Sequence, residues 1–316
     1  MSIFLFKRIL TLVATLIVTS IVVFVVLEIL PGDAAQMMMG PDASPEAVQA
    51  LAEKLGLDRP PLERYFSWVK GMLTGELGDS YAYQSPVATM ILERLTLTIP
   101  LAIFSMLLTT VLALFIGLYA AANHNKLADV SLMGASQIGI AIPNFWFAIL
   151  LILFFAVNLR WVSAGGFPGW SAGVWPSLKA LILPAISLAV VQAAILARIT
   201  RSAVLEVLRE DFVRTALAKG LTRRAALWRH VLRNAMIPVV TVMGLQLANL
   251  LAGTIVVENV FYLPGLGRLV FQSISNRDLI VVRNCVMLLA AMVVVINFIV
   301  DLLYAAIDPR LKASDI

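Results

Sequence analysis

The chain has 316 residues, 60% of them hydrophobic and 14% charged, with a mean hydropathy of +0.92 and a formal net charge of +5. The charged share is roughly half that of soluble domains, which excludes a soluble globular fold and predicts several membrane spans. The positive excess gathers in one Arg-rich loop and near span ends, where membrane topology accounts for it, so it is no argument for nucleic acid.

Lys7 and Arg8 precede an apolar run from Ile9 to Leu27. That run exceeds the core of an ordinary signal peptide and predicts an uncleaved first span, about 9–30, with a cytoplasmic N-terminus. Pro31-Gly32 closes it, and Glu28 lies near its outer end. Residues 31–96 then form a long extracytoplasmic loop. Within it, Ser44-Pro45-Glu46 offers an N-cap, a first-turn proline and an early acid for a helix that stops at Gly56. Asp58-Arg59-Pro60-Pro61 opens a second helix, with Leu62, Tyr65, Phe66, Val69 and Leu73 at helical spacing. That face lies on the membrane, covers the mouth of the bundle or packs under the loop; spacing alone does not choose.

The second span is expected over about 98–122 and the third over about 132–157, the latter interrupted by Pro143-Asn144. A proline there leaves a carbonyl to be satisfied elsewhere, through a simple kink or a kink that lines a pathway. Trp161, Trp170 and Trp175 mark the outer interface that follows. The fourth span covers about 178–199, the fifth about 235–257 and the sixth about 284–307. A turn-rich outer segment, 258–278, containing a short helix through Ser275, separates the last two. The fold class is therefore an all-α integral membrane protein with six transmembrane helices and both termini cytoplasmic. It divides into a first span (1–30), an outer loop with amphipathic helices (31–96) and a core of five spans (97–316). Counting Arg198 at the inner end of the fourth span, 14 of the 24 Lys and Arg are cytoplasmic, in keeping with that orientation.

Nine of those 24 fall between Arg198 and Arg233, against three acids, Glu206, Glu210 and Asp211. The region 203–234 reads as helix–turn–helix. Helical spacing runs from Val204 to Ala218, with Glu210 placed to pair with Arg214. Gly220 suits a left-handed helix terminus, and Thr222 caps a second helix to about Asn234. Arg223 and Arg224 then occupy a first turn, where the helix dipole disfavours cations, which points to an anionic partner. The same charges also serve topology and lipid headgroups.

The sequence contains no phosphate-binding Gly-x-x-x-x-Gly-Lys-Ser/Thr loop, no His-Glu-x-x-His, no Cys-x-x-Cys and no nucleophile elbow. Its one cysteine, Cys285, and two distant histidines, His124 and His230, form no metal spacing. No enzyme activity and no cofactor are expected of this chain. Mid-span polar groups are neutral: Asn144, Gln192, Gln246, Asn249 and Asn297, with Gln246 and Asn249 read as sharing a face. Such amides line a route for a polar solute or hydrogen-bond between helices. Without an ATP site or a buried ionisable relay, the energy for active transport has to come from another chain. An ATP-independent channel or carrier is the competing class.

Arg214-Thr215-Ala216-Leu217-Ala218-Lys219-Gly220 and Arg229-His230-Val231-Leu232-Arg233-Asn234-Ala235-Met236-Ile237-Pro238 resemble the cytoplasmic signature loop of ABC importer permeases of the peptide/nickel class. Leu30-Pro31-Gly32-Asp33, Leu55-Gly56-Leu57-Asp58, Pro264-Gly265-Leu266-Gly267-Arg268 and Asn276-Arg277-Asp278 match the same class in order. Where the general importer signature has Glu-Ala-Ala, this chain has Arg214-Thr215-Ala216, a variant common in the peptide class. The resemblance implies an importer-type bundle in the bacterial inner membrane. Its partners would be a second homologous permease, two ATP-binding subunits carrying ATP and Mg, an extracytoplasmic solute-binding protein, and membrane lipid. It places Arg214, Thr215, Ala216, Lys219 and Gly220 in the ATPase groove, with Arg223, Arg224 and Arg229 at its acidic rim. Asn144, Gln192, Gln246 and Asn249 become candidates for the path. Tyr65, Trp68, Pro264, Gly265 and Arg268 become candidates for docking the binding protein. Short peptides, glutathione-like ones included, are the expected substrate, with nickel, opine or sugar as alternatives within the class.

Overall fold

The computed structural model describes residues 2–29 and 34–307. Leu30-Pro31-Gly32-Asp33 and the tail from Asp308 lie outside the described residues. In chain order the helices are α1 (Ser2–Phe24, continued by a π turn Val25–Ile29), α2 (Ala34–Met39), α3 (Pro45–Leu55), α4 (Pro61–Thr74), α5 (Val87–Ala122), α6 (Leu127–Ala141), α7 (Asn144–Leu151, continued by a π turn Ile152–Asn158), α8 (Val174–Val207), α9 (Asp211–Ala218), α10 (Arg223–Ala226), α11 (Leu232–Val260), α12 (Leu266–Ser275) and α13 (Leu279–Ile307). Among the described residues the only extended pairing is an isolated bridge between Asp79 and Pro86.

Among the described residues five helical segments are long and apolar enough to cross a bilayer: Leu5–Leu27, Val87–Ala122, Val174–Val207, Leu227–Val260 and Leu279–Leu303. The sixth expected span is broken. α6 and α7 meet at a bend of 102°. Ile142 and Pro143 are both extended there, because proline has no N–H to donate and disfavours helix in the residue before it. Beyond the corner the helix restarts, with the Phe147 N–H donating to the Pro143 carbonyl at 3.0 Å. A kink was expected; the structure has a sharp corner.

The helices outrun the hydropathy windows that announced them. α5 starts at Val87 rather than Thr98, because Val87, Met90 and Ile91 are buried against α12 and α13. The helix expected over 222–234 and the span expected from Ala235 form one run, α10 through α11, joined by the π turn Leu227–Val231. Hydropathy marks the bilayer-crossing core of a helix, and packing sets its ends.

Two compact units emerge, residues 1–99 with 264–295 and residues 100–263 with 296–316. In the first unit the caps read from sequence are present. Ser44 Oγ accepts from the Ala47 N–H at 3.3 Å, and Gly56 has φ +66°. α4 buries Trp68, flanked by Tyr65, Val69 and Met72, against Val23, Phe24 and Met287. Phe24 stacks on Trp68 at 6.0 Å and meets Tyr65 edge-on at 5.4 Å. Leu62, Phe66 and Leu73 are exposed, so the expected stripe divides into a packed face and an outward one. The buried Asp278 carboxylate accepts from Ser80 Oγ (2.5 Å) and the Ala82 N–H (3.0 Å), tying the segment after α4 to the start of α13.

The second unit is centred on α8, whose Ala185, Ala189, Ala193 and Ala197 recur every four residues and are buried. Small residues at this spacing let helices approach closely in a membrane. Gly117 of α5 uses that seam: a Cβ there would lie 2.7 Å from the Ala197 carbonyl oxygen. Thr109 Oγ1 donates to the Ala189 carbonyl at 3.4 Å, and Gln246 Nε2 of α11 donates to the Gln192 carbonyl at 3.0 Å.

Candidate functional site

α8 stops at Val207, and Glu210 is extended (φ −66°, ψ 145°) at the cap position of α9. The single helix read from Val204 to Ala218 is thus two. The expected Glu210–Arg214 pair is replaced by Arg214 Nη1 to Asp211 Oδ1 at 3.3 Å, because Glu210 stands outside the helix where four-residue spacing applies.

α9 buries Val213 and Ala216 against Ala121, Ala203, Val204, Val231 and Ala235. Its other side is exposed: Arg214, Thr215, Lys219 and the apolar Phe212 and Leu217. Ala216, expected in the contact surface, instead anchors the helix from beneath. Gly220 sits at φ +88°. The Leu221 N–H reaches the Ala216 carbonyl at 3.2 Å and the Gly220 N–H reaches Leu217 at 3.0 Å, a Schellman end that consumes two orphan carbonyls. A Cβ at Gly220 would meet nothing within 4 Å, so the glycine serves the backbone angle rather than a close approach. Thr222 Oγ1 accepts from the Ala225 N–H at 3.2 Å, as the sequence predicts. Arg229 and Trp228 are exposed beyond it. The backbone at Arg223 and Arg224 opens α10; their side chains lie outside the described set.

Beneath this loop lies a cluster that sequence reasoning missed. Arg201, in the last turns of α8, grips Asp129 in the first turn of α6 through two nitrogens. Nη2 is 2.7 Å from Oδ2, and Nε donates to Oδ1. Asp129 is 2% exposed. Its Oδ2 also accepts from the Asn125 N–H at 3.0 Å, and His124 Nδ1 lies 3.3 Å away. A buried bidentate pair with its remaining lone pairs satisfied is the geometry that withstands burial. Seventy-two residues separate Asp129 from Arg201, so no local spacing reveals the pair.

The four amides are not one set. Gln246 is 3% exposed and bonded to the Gln192 backbone, while Asn249 is exposed. Three residues leave an offset of about 60° around a helix, which separates the two faces that had been read as one. Gln246 Oε1 has no hydrogen-bond partner among the described residues. Asn144 opens α7 beside Gly253 of α11. Of the docking candidates in the first unit, Trp68 and Gly265 are buried and Tyr65, Pro264 and Arg268 half-buried. Tyr65 is held by a 2.8 Å bond to Ser20. No group of metal-ligating side chains occurs among the described residues.

Residues 113–313 match the family described as binding-protein-dependent transport system inner membrane component, and residues 1–102 match the N-terminal model of such membrane components. The glutathione transport system permease protein GsiC of Escherichia coli O6:H1 is 39% identical over 306 residues, 97% of each chain. The dipeptide transport system permease protein DppB of Alkalihalophilus pseudofirmus is 38% identical over 326 residues, 97% of this chain and 98% of the relative. A solved inward-facing structure of the MetNI methionine ABC transporter shares the fold at TM-score 0.58 and 19% identity, over 69% of this chain and 96% of that chain. The exposed basic helix, its underlying latch and the helical bundle thus sit in a multi-pass inner-membrane protein that belongs to the family of binding-protein-dependent transport system inner membrane components.

Proposed function

We propose that this chain is one of two permease subunits of an ATP-driven importer of short peptides, with 203–234 cytoplasmic and 31–86 outside. The observation that carries the reading is α9 itself. It is anchored by Val213 and Ala216 and offers Arg214, Thr215 and Lys219 outward. A short helix held this rigidly on α8 transmits a rigid-body displacement rather than absorbing it.

The route inward is physical. Ala203 and Val204 of α8 share a cluster with Val213 of α9, and one turn earlier Arg201 holds Asp129 of α6. α6 ends at the Pro143 corner beside Asn144, so a push on α9 is delivered to the broken span. Two ATP-binding subunits supply that push, with Arg223, Arg224 and Arg229 at their acidic rim. A solute-binding protein delivers substrate at the opposite face, near Tyr65, Pro264 and Arg268. Asn144, Gln192 and Asn249 remain path candidates, and Gln246 serves the α8–α11 contact. The names of the glutathione and dipeptide relatives support a peptide substrate.

The test is reconstitution. Liposomes holding this chain with its partner subunits and binding protein are expected to accumulate dipeptide only with ATP, and a Lys219→Glu, Gly220→Pro double variant to lose both the ATPase subunits and transport. Transport by this chain alone, or transport and ATPase binding that survive the double variant, would overturn the reading.

A further inference from the structure

α4 carries two apolar faces, and only one of them is covered. Tyr65, Trp68 and Met72 pack against Val23 and Phe24 of α1 and Met287 of α13. Leu62, Phe66 and Leu73 are between 65% and 85% exposed. At about 100° per residue these three fall within about 40° of arc, so they form one stripe along the helix. Glu63, Ser67 and Lys70, all exposed, occupy a separate polar arc beside it. Large apolar side chains left in water forgo the free energy that burial supplies, and a contiguous stripe of them marks an interaction face.

The contact with α1 sets the depth of α4. The apolar stretch of α1 runs Leu5–Leu27, and Ser20 lies seven residues before its end, about 10 Å inward at 1.5 Å per residue. The Tyr65 hydroxyl is 2.8 Å from Ser20 Oγ, and Ser20 Oγ donates to the Ile17 carbonyl at 2.8 Å. Tyr65 therefore donates to Ser20, and each hydroxyl places its proton on a protein acceptor without calling on water. That is the condition for keeping a polar group below the lipid headgroups. The Phe66 ring meets the Tyr65 ring edge-on at 5.4 Å, so the stripe begins where the α1 contact ends.

Away from α4, α1 exposes Ile17, Val18, Ile21, Val22 and Val26. These side chains belong to a bilayer-crossing helix of a multi-pass membrane protein and face acyl chains. The stripe on α4 borders this surface. A water-soluble partner would have to be seated beside a lipid-facing helix to cover it, whereas acyl chains are already there. We infer that Leu62, Phe66 and Leu73 form a lipid-binding face, inserted among the acyl chains of the leaflet in which α1 ends, with Lys70 at its edge reaching headgroup phosphates. The placement draws on the membrane class alone, so it stands or falls apart from the peptide-import reading.

The test is spin-label accessibility in the complete transporter, with cysteine-free partner subunits, in nanodiscs of phosphatidylethanolamine and phosphatidylglycerol. Nitroxides are introduced one at a time through Leu62→Cys, Phe66→Cys, Leu73→Cys, Glu63→Cys and Ser67→Cys. All five positions are exposed, so the labels spare the core of α4. Cys285 is buried and stays unlabelled, which the unsubstituted transporter checks. At the three stripe positions collision with oxygen is expected to exceed collision with nickel ethylenediamine diacetate at least threefold, and at Glu63 and Ser67 the order is expected to reverse. Nickel collision dominant along the stripe would place it in water and overturn the inference. Low collision with both reagents would overturn it as well, since a second permease or the binding protein would then be covering the stripe.

Discussion

Two arginines on long helices meet opposite fates. Arg201, on α8, closes on Asp129 in a bidentate pair whose carboxylate also accepts the Asn125 N–H. Arg283, on α13, is laid over Trp68 and lines a cleft together with carboxylates of either flank. The difference is geometric. A carboxylate that is 2% exposed and takes both guanidinium nitrogens holds two helices together. The Arg283 guanidinium instead packs against an aromatic ring at the edge of a cleft. The first arrangement joins two helices through one ion pair, and the second rests on packing against a ring.

Substitutions sharpen that contrast. Asp129→Asn is expected to have the largest effect, about 2–3 kcal/mol of stability, because it takes the charge-assisted hydrogen bonds from a half-buried guanidinium. Thermal denaturation of the purified complex measures it, and adding Arg201→Gln is expected to recover part of the loss in a double-mutant cycle. Trp68→Phe comes next at about 1–3 kcal/mol, since it leaves buried Asn284 Oδ1 without its indole donor. Gly220→Ala follows at about 1–2 kcal/mol, because φ +88° is left-handed and costs any residue with a Cβ. Limited proteolysis within 208–222 reads that local loosening, and ATPase stimulation is expected to fall with it. Arg283→Gln is smallest in stability, about 0.5–1 kcal/mol for a half-exposed cation–π contact. A melting shift in Arg283→Gln as large as that of Asp129→Asn would break the comparison and make both arginines structural.

The membrane class, the caps at Ser44, Gly56, Gly220 and Thr222, and the exposed basic helix were legible along the chain. Each depends on residues within a few positions of one another, which is the range over which apolar runs and cap chemistry act. Less legible was how helices end. α5 starts as early as Val87, where α12 and α13 cover its first turns, and α8 runs on to Val207, which packs beside Val204 and Val213; that information is held by other segments. Glu210 was read as a helix partner of Arg214, yet a short turn at 208–210 moved it to a cap.

The sequence by itself determined that this is a multi-span membrane protein with a basic loop between two of its spans, because hydrophobicity, charge and glycine conformation are properties of short windows. Only the tertiary structure decided which charges act together. Arg201 finds Asp129 72 residues away, and Trp68 finds Asn284 216 residues away. Hydrogen bonds and ion pairs operate over about 3 Å of space with no regard to chain separation. The latch and the cleft therefore exist only once the helices have been brought side by side.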